Sequence, residues 1–217
     1  MNGDVARIDL EIIAGIVAAG ARVLDLGCGE GDLLLKLARE KAVVGRGIEL
    51  SEVGVRHCVA KGLSVRQGNI DEGLSDYPTG SFDYVVLSQT LPYVDNPKSL
   101  LHEMLRVGRK AIVSFPNLSY WRARLRLLVN GSLPEMAYSS CPWYDAPRAR
   151  PVSIDGFLAL CADAQIAVTD SIYLSGTGRL HGIRKASLWS TTGLFVLECD
   201  GAARCSDSGD GALNGKG

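Results

Sequence analysis

The chain has 217 residues, 47% of them hydrophobic and 22% charged, with 23 Lys and Arg against 24 Asp and Glu. That exceeds the ~150 residues of a usual domain and supplies enough apolar material for a core, which excludes a wholly disordered chain. A net charge of −1 provides no global basic field of the kind that supports non-specific nucleic-acid binding, which weights against a polyanion partner and leaves local basic patches.

Val5, Ile8, Ile12 and Ile16 recur at helical spacing and predict a helix over residues 4–19, ended by Gly20. The apolar run from Arg22 to Leu26 is a strand that enters the glycine-rich turn Gly27-Cys-Gly-Glu-Gly31. Asp32 is placed to cap the next helix, which carries Leu33, Leu34, Leu37 and Ala38. Strands are expected at 43–50, 63–67, 82–87 and 111–115, with helices at 52–61 and 98–107 between them. This alternation implies parallel β-α-β units and an α/β, Rossmann-like doubly wound sheet. A helix over 120–129 follows, with Leu125 and Leu128 among its apolar positions and Arg122, Arg124 and Arg126 nearer solvent. Residues 130–152 hold four prolines and read as an ordered loop or lid. Ser153 then caps a helix to Asp163, a strand runs from 166 to 174, and a final edge strand from 193 to 199 completes a mostly parallel, seven-stranded sheet. After Asp200 the sequence turns to Gly, Ser, Ala and Asp, which reads as a flexible tail over 201–217 behind a single domain of 1–200.

Six cysteines at 28, 58, 141, 161, 199 and 205 form no C-x-x-C pair, so reduced thiols in a cytoplasmic protein are expected, with neither a disulfide framework nor a zinc site. The first twenty residues carry Asp4, Arg7, Asp9 and Glu11 and lack the order of a signal peptide. The sequence has no uncharged apolar run of membrane-spanning length, so no membrane partner is expected.

The glycine turn carries the chemistry. Gly27, Gly29 and Gly31 form G-x-G-x-G, whereas a dinucleotide fingerprint needs its third glycine where Asp32 stands. Asp25 sets a carboxylate beside the turn, hostile to a pyrophosphate and favourable to an ammonium. Glu49, at the end of the second strand, is placed to accept from both hydroxyls of a ribose. An amine joined to a ribose describes S-adenosylmethionine or its demethylated product S-adenosylhomocysteine. With Val23 to Gly31, Glu49 and Phe82 to Leu87, the chain resembles class I methyltransferases in their cofactor half.

The resemblance is closer to the methionine biosynthesis protein MetW family. It is carried by Arg7 to Glu11, Asp71 to Leu74, Ser81 to Leu91, Glu103 to Arg109, Ile112 to Asn117 and Pro142 to Pro147. It implies a methyltransferase-like protein that binds S-adenosylmethionine and supports homoserine O-acyltransferase in methionine biosynthesis, with methyl transfer to a small metabolite as the alternative. The implied cofactor-binding set is Asp25, Gly27, Cys28, Gly29, Gly31, Glu49, Leu50, Asn69, Ile70, Ser88 and Gln89. Asn69 stands where similar proteins have Asp, and its amide oxygen can accept the same hydrogen bond.

No catalytic residue is assigned. The Asn/Asp-Pro-Pro-Tyr/Phe signature of amine methylation is replaced by Ser88-Gln89-Thr90-Leu91, and no Gly-x-Ser-x-Gly elbow occurs. His57 is placed away from the ligand edge, and His102 and His181 read as surface or structural histidines. Arg122, Arg124 and Arg126 beside Tyr120, Trp121, Trp143 and Tyr144 have the composition of a protein-protein surface, so residues 117–150 are expected to contain a partner surface, a lid or both. RNA methylation ranks last among the functions.

Overall fold

The computed structural model describes residues 7–131, 149–175, 178–180 and 186–198. Most of the expected lid and the whole expected tail lie outside these residues, as do Cys141, Trp143, Tyr144, His181, Cys199 and Cys205.

Elements follow in chain order: α1 (Ile8–Ile16), β1 (Arg22–Leu26), α2 (Asp32–Lys41), β2 (Val44–Glu49), α3 (Glu52–Ala60), β3 (Val65–Gln67), β4 (Phe82–Ser88), α4 (Pro97–Val107), β5 (Gly108–Pro116), α5 (Trp121–Asn130), α6 (Ile154–Asp163), β6 (Ala167–Ser175), β7 (Gly178–Leu180), α7 (Ala186–Trp189) and β8 (Thr192–Glu198). Short 3-10 turns occupy Ile70–Glu72 and Leu91–Tyr93. Among the described residues the sheet runs β3-β2-β1-β4-β5-β8-β6-β7, parallel from β3 to β5. The expected seven strands are present, and three-residue β7 extends the edge beyond β6.

One placement differs from the sequence reading. β8 is not an edge strand; it lies antiparallel between β5 and β6. Its central residues Gly193 to Leu197 are all buried, whereas β6 is half-exposed over its first residues. A strand apolar on both faces must be covered on both sides, so the last strand in sequence takes an interior position and β6 is displaced outward.

Alternation along the strands divides the core. Leu24, Leu26, Val85, Val113, Phe115 and Phe195 face α4 and α6, where Leu101, Met104 and Phe157 meet them. Val23, Val86, Ile112 and Leu194 face Leu10 and Ile13 of α1 and Leu33 and Leu37 of α2. Phe115, Phe157 and Phe195 form a triangle with ring centroids 4.8–5.6 Å apart, which joins β5, β8 and α6. Ser153 caps α6 as the sequence indicates, accepting from the Gly156 amide at 3.0 Å. The α2 cap is Gly31 rather than Asp32, which is the first helical residue.

Truncating Phe195 empties the centre of the triangle and removes the side chain that fixes β8. Phe195→Ala should lower unfolding free energy by about 3–5 kcal/mol, read from denaturant melts. A loss below about 1 kcal/mol would contradict the interior placement of β8.

Candidate functional site

Strand order reverses between β1, which leads on to β2, and β4, which leads on to β5. In such sheets the crevice at the C-terminal strand ends is the ligand position. A cleft of about 210 Å³ opens there, lined by Arg7, Leu10, Asp25, Gly27, Cys28, Gly29, Glu30, Asp32, Leu33 and Ser88.

The glycine turn forms its floor. Gly27 (φ +68°), Gly29 (φ +56°) and Gly31 (φ +80°) all have left-handed backbones. At Gly27 a Cβ would also stand 2.7 Å from the Thr90 side chain, so only glycine lets β1 turn this close to the segment after β4. The amides of Gly27 and Cys28 donate to the Ile48 carbonyl of β2 at 2.8 and 3.1 Å, which ties the turn to the neighbouring strand end.

Two backbone amides hold Glu49. Its Oε2 accepts from the Gly29 amide and its Oε1 from the Ser51 amide, both at 2.8 Å. Gly54 permits this approach, because a Cβ there would stand 2.9 Å from Glu49 Cγ and from the Gly29 carbonyl. Each carboxylate oxygen retains acceptor capacity for a further donor, such as the hydroxyls of a vicinal diol.

Asp25 is buried at the end of β1, 3% exposed. Burial raises its pKa to about 7, opposed by Arg7 and reinforced by the charges of Glu49 and Asp9. A buried carboxyl balanced near neutrality gains most from a ligand cation placed beside it.

The opposite wall is built by Arg7 and Asp9, neither of which stands out as a site residue in the sequence. Arg7 donates to Asp9 Oδ2 at 2.9 Å and to Ser88 Oγ at 2.7 Å. Asp9 is 5% exposed, and its Oδ2 also accepts from Ser88 Oγ (2.9 Å), Gln89 Nε2 (3.2 Å) and Ser114 Oγ (3.3 Å). The Arg7 contacts and these side-chain hydrogen bonds outweigh burial and hold the Asp9 carboxyl below its ordinary range. Asp9 is therefore an ionised anchor that joins α1 to the ends of β4 and β5. The available signal was its period: Asp9 lies four residues before fully buried Ile13, on the inward stripe of α1.

Of the residues singled out from the sequence, Asp25, Gly27, Cys28, Gly29 and Ser88 line the cleft. Gly31 faces Leu63 and Cys58 rather than the cleft. Glu49 and exposed Leu50 follow at the end of β2, and Asn69 and Ile70 lie just beyond β3. The Asn69 amide oxygen already accepts from the Asp71 amide at 3.0 Å. Gln89 is left-handed (φ +59°), and its Oε1 is buried without a hydrogen-bond partner. Cys28 lies among Leu34 and Cys58, where burial pushes its thiol pKa well up and makes it a poor nucleophile. His57 is nearer the ligand edge than its sequence placement: Nδ1 is 3.4 Å from Glu30 Oε1 of the glycine turn, because α3 leans toward that turn over Gly54.

The arrangement offers a guanidinium for a carboxylate, a buried carboxyl for an ammonium and a fixed carboxylate for a diol. Residues 7–197 match the family described as "Methionine biosynthesis protein MetW". The chain belongs to the MetW family. The bifunctional methionine biosynthesis protein MetXA/MetW of Rhodopirellula baltica is 32% identical over 176 residues, covering 77% of this chain and 28% of that protein. The ubiquinone biosynthesis O-methyltransferase of Methylococcus capsulatus is 35% identical over 96 residues, 42% of this chain and 40% of that one. The chain thus spans less than half the length of these curated relatives. Among solved structures, an S-adenosylmethionine-dependent methyltransferase from Mesorhizobium loti superposes with TM-score 0.65 at 19% identity, over 89% of this chain and 99% of that one. Another from Aquifex aeolicus gives 0.61 at 16% identity, over 92% and 94%. The fold of this MetW-family chain is therefore that of S-adenosylmethionine-dependent methyltransferases. No helix among the described residues is long and apolar enough to cross a membrane.

The raised Asp25 pKa gives a signed pH dependence. The folded protein keeps a proton on Asp25 that the unfolded chain releases near pH 4, so the ligand-free protein loses stability from this group as pH rises from about 4 through 7. Asp25→Asn should melt higher than the parent at pH 8, with the gain shrinking toward pH 4; every tenfold difference in proton affinity between folded and unfolded chain is worth about 1.4 kcal/mol. A melting difference independent of pH would contradict the assignment.

Proposed function

We propose that this MetW-family protein binds S-adenosylmethionine or S-adenosylhomocysteine and, through complex formation, supports homoserine O-acyltransferase in methionine biosynthesis. Arg7 holds the ligand carboxylate, and Asp25 lies beside its ammonium. Gly27, Cys28, Gly29 and Gly31 form the backbone of the turn beneath it, and Glu49 accepts from the ribose hydroxyls. Leu50, Asn69 and Ile70 flank the adenine, while Ser88 and Gln89 close the end nearest the sulfur. The observation that carries the binding reading is the joint placement of Arg7 and Asp25 on one cleft, with Glu49 pinned at the next strand end. The partner reading is supported by the Rhodopirellula baltica relative, whose name joins MetXA and MetW in one chain.

Methyl transfer to a small metabolite is the second reading, favoured by the ubiquinone biosynthesis O-methyltransferases among the relatives. When bound, S-adenosylmethionine supplies an electrophilic methyl group. The protein's part would be to place an acceptor near Ser88 and Gln89. Asp9 is a weak candidate for a base there, since its carboxylate is already engaged by four side chains.

Purified homoserine acyltransferase from the same organism, assayed with and without an equimolar amount of this protein, should show a several-fold rise in rate. An unchanged rate would overturn the supporting role. Transfer of labelled methyl groups to extract metabolites, lost in Glu49→Ala, would instead establish the second reading.

A further inference from the structure

The segment after β5 builds a surface that the cleft does not use. Asn117 is 1% exposed, and its Nδ2 donates to the carbonyls of Ser187 (2.7 Å) and Ser190 (2.8 Å), while its Oδ1 accepts from Ser119 Oγ at 2.8 Å. These bonds lock the entry to α5 against α7, and the Trp121 and Trp189 rings meet with centroids 6.3 Å apart. At 100° per residue, Trp121, Leu125 and Leu128 form one stripe of α5 opposite Ala123, its buried residue. The stripe faces water: Leu128 is 85% exposed, Leu125 48% and Trp121 39%, and Trp189 of α7 beside it is 50% exposed. Arg122 and Arg126 flank it on one side and Arg124 on the other. The Arg122 guanidinium lies 5.4 Å from the Trp121 ring centroid, and α5 contains no acid.

Contiguous exposed apolar side chains on a fixed scaffold mark an interaction site, and Trp with Arg is the composition of binding hot spots. Resting on the partner reading above, we infer that the α5–α7 ridge is the docking surface for the homoserine acyltransferase, through a face of that enzyme that is apolar at its centre and acidic at its rim. Among the described residues no carboxylate pairs with Arg122, Arg124 or Arg126, so a partner covering them would present acids opposite. A second copy fits poorly, because a two-fold interface would bring the Arg122, Arg124 and Arg126 clusters of both chains together. Nucleic acid would leave the leucines against phosphates. A protein partner satisfies both the stripe and its charged flanks. In the Rhodopirellula baltica relative the MetXA and MetW parts share one chain, which holds the two at high effective concentration.

The test measures affinity between the full-length protein and purified homoserine acyltransferase from the same organism, by calorimetry, with melting temperatures recorded for each variant. Leu128→Glu and the double change Arg122→Glu/Arg126→Glu should each weaken binding by at least about tenfold, with melting unchanged. Val59→Glu, at an exposed apolar position on α3 away from the ridge, should bind as the parent does. If the parent binds and both ridge variants bind equally well, the docking surface is wrong while the partner reading stands. If the parent does not bind, the partner reading falls and this inference with it. Dimers of the parent that Leu128→Glu dissociates, with acyltransferase binding intact, would overturn it in favour of a second copy.

Discussion

Arg7 is the cation around which the acids of the ligand edge are arranged. Asp9 bonds it directly, whereas Asp25 feels its charge against those of Asp9 and Glu49. The result is uneven by construction. Asp9 is ionised and saturated, while Asp25 stays poised near neutrality in a buried position. Removing the guanidinium would leave three acids facing one another in a site partly shielded from water, an arrangement that buried charge does not tolerate. A zwitterionic ligand, as proposed above, would complete it, its ammonium relieving Asp25 and its carboxylate meeting Arg7.

The fold explains why these groups converge. Reversal of strand order at β1 and β4 opens the crevice, and the register that pairs Ser88 with Ser114 brings two hydroxyls beneath α1, where Asp9 accepts from both. The same sheet edge launches α5 from β5 through Asn117. The ligand cleft and the exposed ridge thus arise at the same edge, separated by β4 and β5.

Much of this is legible in the sequence, and the exceptions have physical causes. β1, β4 and β5 are short, strongly apolar runs, and their boundaries agree with the structure to within a few residues. G-x-G-x-G followed by an acid at the end of the next strand locates the turn and Glu49, because that spacing suits few ligands. β8 reads as an edge strand because chain order says nothing of insertion; its unbroken apolar run was the better guide. Asp9 does not stand out as a site residue, because polarity alone hides its place on the inward stripe of α1, and Arg7, at the N-cap of that helix, is drawn to the site through its bond to Asp9. Leu125 and Leu128 read as apolar helix positions, yet they point outward, since α5 touches the body of the protein along a single narrow face at Ala123.

The most direct test of the cleft as a site for a zwitterion joined to a ribose is titration calorimetry with S-adenosylhomocysteine at pH 7.5. Saturable binding of one ligand per chain is expected, weakened by about tenfold or more in both Arg7→Ala and Glu49→Ala, as when a hydrogen bond to a charged group is lost. No binding by the parent protein, or undiminished affinity in both variants, would contradict it.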